Sequence, residues 1–231
     1  MSFVTRNAKA MRYRLLEKIR WHLYRLSGAK EIRRWITSCQ GDPVMLQVGA
    51  GGNVLDGWLN TDYQRHPKCV FLDITRPLPF ETSTLDLILS EHVISTLPKE
   101  SVSRFFQEAC RCLRPGGILR VSIPNLTGMC RLLCQPELGP ERERIVRRHQ
   151  QLFRAGEAIS YCDVFNDVMH LWNHQYIYSE DELDAQLRQA GFTEIRRANC
   201  GESIEPRLCK VECRPDPEAF SPLNLIVEAV R

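Results

Sequence analysis

Two glycines one residue apart, Gly49 and Gly51, close the apolar run Met45-Leu46-Gln47-Val48, and carboxylates follow at Asp62 and Asp73. Glycine lets a backbone approach a ligand where any side chain would intrude. A carboxylate at the end of the next strand can accept two hydrogen bonds from a ribose diol. The spacing therefore points to a nucleotide-like cofactor. A dinucleotide is disfavoured: its Gly-x-Gly-x-x-Gly fingerprint opens a full helix and sets the acid about 20 residues on. Here Val54 stands at the third glycine position and Asp62 follows Gly49 by only 13 residues, which leaves no room for a long crossover helix.

The pattern resembles motif I of the class I S-adenosylmethionine-dependent methyltransferases, in the methyltransferase type 11-like branch. That branch reads Leu-x-x-Gly-x-Gly-x-x-x-x-x-Gly-Trp-x-Asn-x-Asp, matched by Leu46, Gly49, Gly51, Gly57, Trp58, Asn60 and Asp62. Three further segments follow in the family's order. Asp73-Ile74-Thr75-Arg76-Pro77-Leu78-Pro79-Phe80 resembles the adenine-reading segment after strand three. Leu85–Val93 resembles strand four and the floor of the cofactor site, and Arg111–Leu119 the Leu-x-Pro-Gly-Gly turn into strand five. The resemblance implies S-adenosyl-L-methionine as cofactor, with contacts from Gly49, Ala50, Gly51, Asp62, Asp73, Ile74, Ser90 and Glu91. One departure stands out. Relatives often continue His-Val-x-Glu-His-Leu after strand four, whereas this chain has Ser95 and Thr96 where the glutamate and second histidine would fall.

A sulfonium is already an activated methyl donor, so transfer is a matter of positioning. A hydroxyl acceptor must also lose its proton, a task that suits a histidine titrating near about 6.5. His92, at the expected floor, and His174, in a later aromatic segment, are the two candidate bases. A structural role is the plain alternative for either. The segment from Asp163 to Tyr178 gathers Phe165, His170, Trp172, His174, Tyr176 and Tyr178. It is the candidate substrate wall, unless these rings simply pack the segment onto the sheet.

The elements that must position these groups alternate along the chain. Strands are expected at Val44–Val48, Trp58–Tyr63, Cys69–Leu72, Ile118–Ile123, Phe192–Ala198 and Leu223–Val230. Val102, Phe105, Phe106, Ala109 and Leu113 keep one face of a helix over Glu100–Leu113, which Pro115-Gly116-Gly117 should end. Ser179 with Glu182 three residues on reads as a capping box opening a helix to Ala190. The fold class is α/β, a doubly wound, largely parallel sheet covered on both faces. Resemblance adds the Rossmann-like seven-stranded order, an antiparallel last strand and a helical insertion after strand five. The expected organisation is an N-terminal helical extension over residues 1–38 and a methyltransferase domain over 39–231, with the insertion at 124–178.

Composition agrees. A length of 231 residues with 43% hydrophobic content supports one sizeable core, and no run approaches the roughly 18 apolar residues of a membrane span. The N-terminus lacks the apolar stretch of a secretory signal. Ten cysteines are scattered through expected helices and strands, and Cys130-x-x-x-Cys134 and Cys209-x-x-x-Cys213 are not zinc spacings. Reduced thiols in a cytoplasmic protein without a metal site are expected. Charge is uneven: residues 1–38 hold ten Lys/Arg against Glu17 and Glu31, a net of +8, while the whole chain is +3.

Leu15, Leu16, Ile19, Leu23 and Leu26 recur at near-helical spacing in that arm, beside Trp21 and Tyr24, until Gly28 interrupts. Such a helix suits an anionic membrane surface, and then a peripheral position at the inner membrane, or nucleic acid. It could equally lay its apolar stripe on the domain as a lid. Three functions follow: methylation of a small-molecule, glycan or lipid-linked hydroxyl; methylation of nucleic acid; or a non-catalytic cofactor-binding scaffold. The second is disfavoured, since Ser90-Glu91-His92-Val93 is not the Asn/Asp-Pro-Pro-Tyr/Phe signature of base methylation.

Overall fold

The computed structural model describes residues 3–39, 41–212 and 220–231, with the backbone alone for residues 3–15 and 17. Cys213 and the side chains of Arg6, Lys9, Arg12, Arg14, Leu15 and Glu17 thus lie outside the described residues. Seven strands form one sheet: β1 (Met45–Val48), β2 (Leu59–Asp62), β3 (Val70–Phe71), β4 (Leu85–Glu91), β5 (Leu113–Pro124), β6 (Glu194–Ala198) and β7 (Asn224–Val230). Their order is β3-β2-β1-β4-β5-β7-β6. The first five are parallel, and β7 runs antiparallel between β5 and β6. This is the expected mixed, Rossmann-like sheet. Strand order reverses between β1 and β4, so the loops leaving their carboxyl ends open a crevice, where ligands of such sheets bind.

Alternation along the strands assigns the two faces. Leu119, Val121 and Ile123 join the main core with Phe105 and Phe106 of α2 (Lys99–Cys112) and Leu183 and Leu187 of α6 (Glu180–Gln189). Leu87, Leu89 and Ile118 face the other way, onto Trp58, Leu208 and Val211. Among the described residues the segment after β6, with a short 3-10 turn at Pro206–Leu208, covers that cluster, and a buried arginine anchors it. Arg120 on β5 binds Glu212 at 2.6 Å and Glu228 at 2.5 Å, and donates to the carbonyls of Glu202 and Asn199. A guanidinium this deep is tolerable only because two carboxylates and two carbonyls replace its water.

Several boundaries differ from the expected ones. Helix α2 stops at Cys112, three residues short of Pro115, and Pro115-Gly116-Gly117 lies within β5. The capping box at Ser179 is half formed. Its hydroxyl accepts from the Glu182 amide, but the Glu182 carboxylate pairs with Lys99 and Gln186 instead. The insertion contains α3 (Leu126–Cys134), α4 (Gly139–Phe153) and α5 (Tyr161–His170), which share a second apolar cluster. Helix α5 was not foreseen, although Ser160 and Asp163 form a complete capping box at its start.

The arm is one helix, α1 (Phe3–Ser38), running straight through Gly28. That glycine marks a close crossing. A Cβ there would sit 2.6 Å from the Phe71 carbonyl oxygen of β3. Trp21 and Tyr24 pack edge-on against Phe71, Trp21 also against Tyr63, and Ile32 enters the main core. The leucine stripe is not what docks: Leu16, Ile19, Leu23 and Leu26 are exposed. The aromatic and glycine face was passed over because the leucines dominate the hydropathy pattern. Gly28→Val should therefore push α1 off β3 and lower stability by roughly 1–3 kcal/mol, as overpacking does. Urea unfolding monitored by tryptophan fluorescence would check this, and an unchanged midpoint would show that the crossing is not tight.

Candidate active site

The glycine turn leaving β1 has the shape its sequence requires. Gly49 and Gly51 both take positive φ, at +63° and +52°. A side chain on Gly49 would collide with Val93, while the Cβ positions of Gly51 and Gly52 face open space. The turn is braced by Asp62 at the end of β2. One carboxylate oxygen accepts from the Gly51 amide at 2.9 Å and the other from the Gln64 amide at 2.6 Å. Each oxygen keeps a second lone pair.

A cavity of about 1140 Å³ opens over this turn. That exceeds the roughly 300–1,000 Å³ of an ordinary ligand site, so two small ligands can share it. Gly49, Ala50, Gly51, Asp62, Asp73, Ile74, Glu91 and His92 all line it, and so does His174 from the far side. Ser90 is the exception, since its side chain is buried on β4 and does not reach the cavity wall. Asp73 is held by an Asx turn, with one oxygen taken by the Thr75 amide and hydroxyl, and the other facing Arg76. The segment after it is clamped from α2: Glu108 accepts from the Leu78 amide, and Arg111 donates to the Leu78 and Phe80 carbonyls.

The far end of the cavity is aromatic and imidazole-rich. Phe153, Trp172, His174 and His149 line it, with Thr96 and Val93 from the loop after β4. His174 Nδ1 bonds the Val168 carbonyl oxygen. A carbonyl only accepts, so Nδ1 carries a proton, and in the neutral ring Nε2 has the lone pair. Two more bonds fix that segment: the Ser95 carbonyl accepts from the Gln175 amide at 2.7 Å, and the Thr96 carbonyl from the Gln175 side chain at 2.8 Å. His92 lines the cavity from the loop after β4 at positive φ (+54°), its amide donating to the Ser122 carbonyl. The expected aromatic wall is divided. Trp172 and His174 reach the cavity, Phe165 packs within the insertion, Tyr176 and Tyr178 pack at the main core, and His170 is exposed.

His149 was not foreseen. It is 2% exposed, its Nε2 lies 2.8 Å from an Asp167 carboxylate oxygen, and Arg154 holds Asp167 through two nitrogens. Eighteen residues separate the pair, and the only hint in the sequence is their placement on the inner faces of two amphipathic stretches. Arg154, and His149 with it, hold the Asp167 carboxyl below the usual range against the opposing effect of burial. Gln47 also lines the cavity from β1, where a strand residue reads as core.

Comparison with known proteins agrees with this geometry. Residues 46–121 match the family model described as a methyltransferase domain. S-adenosylmethionine is the cofactor of that family. A structure of a SAM-dependent methyltransferase from Archaeoglobus fulgidus superposes with a TM-score of 0.50 at 14% identity, covering 95% of this chain and 100% of that one. One from Thermotoga maritima, described as a possible histamine N-methyltransferase, gives 0.45 at 16% identity over 94% and 95%. Phosphoethanolamine N-methyltransferase 2 of Haemonchus contortus, in complex with S-adenosyl-L-methionine, gives 0.42 at 12% over 82% and 48%. No curated protein sequence matches the chain.

The open Cβ positions of Gly51 and Gly52 and the spare lone pairs of Asp62 fit the cofactor. The described residues contain no cluster of three or more potential metal ligands and no helix long and apolar enough to cross a membrane.

Two variants probe this arrangement. Asp62→Ala should weaken S-adenosylmethionine binding at least tenfold, and, because the same carboxylate braces two amides, should also cost the ligand-free protein about 1–3 kcal/mol. Titration calorimetry and thermal melts read both effects; a loss of affinity with an unchanged melting temperature would show the brace to be idle. Asp167→Asn should destabilise by about 1–3 kcal/mol at neutral pH, since an amide cannot accept from His149 and from both Arg154 nitrogens as the carboxylate does. A depressed carboxyl contributes stability above its ordinary value of about 4 and loses it as the pH falls through the lower folded value. The gap between wild type and variant should therefore close in acid, and a constant gap would contradict the assignment.

Proposed function

We propose that the chain transfers the methyl group of S-adenosylmethionine to a hydroxyl of a small molecule, or of a glycan or lipid-linked precursor. One observation supports this above others: the braced glycine turn and a histidine of fixed tautomer face the same cavity. In this reading Gly49, Ala50, Gly51, Asp62, Asp73, Ile74 and Glu91 hold the cofactor. Ser90 supports the site floor from within β4.

The cofactor supplies a methyl group on a sulfonium, whose carbon–sulfur bond breaks as the acceptor oxygen attacks. Trp172 and Phe153 give the acceptor a flat apolar surface and exclude water from the attacking oxygen. His174 Nε2 takes the hydroxyl proton, while Nδ1 stays fixed on Val168. His92 lines the same cavity and serves as the second candidate for that proton. The Ser95 and Thr96 carbonyls keep the His174 segment in place, a role that asks nothing of their side chains.

His174→Gln should lower the methylation rate about 10²- to 10⁴-fold, the usual contribution of a general base, with cofactor affinity unchanged. A methylation screen over hydroxylated acceptors, run on His174→Gln and His92→Gln in parallel, assigns the base to whichever variant loses rate and its pH dependence. If both variants keep the wild-type rate, the acceptor needs no base and the hydroxyl assignment is wrong.

A further inference from the structure

Helix α1 has two apolar faces, and among the described residues only one is used inside the molecule. Tyr24, Gly28, Ile32 and Trp35 turn toward β3 and the main core. Leu16, Ile19, Leu23 and Leu26 follow 3-4-3 spacing, which at 100° per residue puts them on one line on the opposite side. They are between 44% and 65% exposed. One or two turns further on, that line turns cationic: Lys30, Arg33, Arg34 and Thr37 border a shallow concavity on the helix surface. The outer face is thus an apolar stripe that ends in a cluster of three cations.

We propose that this face docks the protein on an anionic lipid surface, with the four apolar side chains entering the acyl boundary and the cations meeting lipid headgroups. Charge selects the occupant. The arm, residues 1–38, carries ten Lys/Arg against two Glu. A second copy of the chain would set these cations against one another along the seam. Four partly exposed side chains also fall well short of the roughly 800 Å² per partner that a specific protein interface buries. A bilayer with acidic headgroups supplies the missing negative charge and accepts apolar side chains without shape complementarity. Docking leaves the inner face of α1 in place, where the Tyr24 hydroxyl donates to the Asp62 carbonyl oxygen at 3.1 Å. The helix therefore binds outward without releasing the glycine turn.

The test is co-sedimentation of the full chain with phosphatidylcholine vesicles, with and without phosphatidylglycerol. Binding should require phosphatidylglycerol and fall steeply with salt. Each cation near such a surface is worth about fivefold in partitioning. Lys30→Gln/Arg33→Gln/Arg34→Gln should therefore lose roughly 100-fold, with a flatter salt dependence. Leu23→Gln/Leu26→Gln should also release the protein, and both variants should keep wild-type S-adenosylmethionine affinity, since these side chains are solvent-facing. Three outcomes overturn the proposal. In the first, the wild-type chain stays in the supernatant at low salt with both vesicles. In the second, sedimentation equilibrium shows a dimer that Leu23→Gln/Leu26→Gln dissolves. In the third, an oligonucleotide binds through the same cations with no contribution from the leucines, which assigns the face to nucleic acid.

Discussion

The carboxylate of Asp62 is the constraint on which the cofactor end of the molecule depends. A turn with two residues at positive φ has little to hold it, because glycine gains no packing and loses more chain entropy on folding than any other residue. Asp62 supplies the missing order through the Gly51 and Gln64 amides. Its own carbonyl accepts from the Leu72 amide beyond β3 and from Tyr24 of α1. The glycine turn, the segment leading to Asp73 and the N-terminal helix thus converge on one residue. An arrangement of this kind preorganises a site: the backbone that must approach the ligand is fixed before the ligand arrives, and binding does not have to order it.

The aromatic end of the cavity is held by a different device. The loop after β4 and the stretch around His174 are far apart in sequence, and the bonds from Gln175 to the Ser95 and Thr96 carbonyls join them. These bonds use backbone acceptors, which every residue carries. That explains how the chain can depart from the branch pattern at Ser95 and Thr96 and still close the cavity. Behind the aromatic lining, Arg154, Asp167 and His149 lock α4 to α5. A buried ionic group of this sort adds little net stability over a well-packed apolar core, but it penalises any rearrangement that would separate its members. The aromatic wall of the cavity is therefore rigid, as the proposed positioning of an acceptor requires.

The convergence of the glycine turn and its carboxylates on one cavity was legible because it is local. Gly49, Gly51, Asp62 and Asp73 lie within 25 residues, and short parallel strands force their loops to the same edge of the sheet. Ser90 shows the limit: a residue at the right sequence position can point into the core, since strand residues alternate faces and only one face meets the cavity. The other end of the cavity was harder to read. His149 and Gln47 look like helix and strand interior, and only tertiary packing turns them toward the cavity. Arg120 was equally invisible, because nothing in its neighbourhood on β5 announces partners that lie 92 and 108 residues away.

Helix α1 shows why periodicity alone misread the arm. An amphipathic helix is recognised by one apolar stripe opposed by a polar one. Here two apolar lines run on opposite sides, one of leucines and isoleucine, the other of aromatics, glycine and Ile32. Summed around the helix they cancel, and the leucines stand out only because their hydropathy is higher than that of Trp21 or Tyr24. Gly28 then looks like an interruption. In the fold it is the point of closest contact, since a backbone carbonyl 2.6 Å from a would-be Cβ admits no other residue without displacement. A helix that docks through aromatics and a glycine has its aliphatic side left for another environment. The exposed leucines of α1 are thus a consequence of how it packs, not a failure to pack.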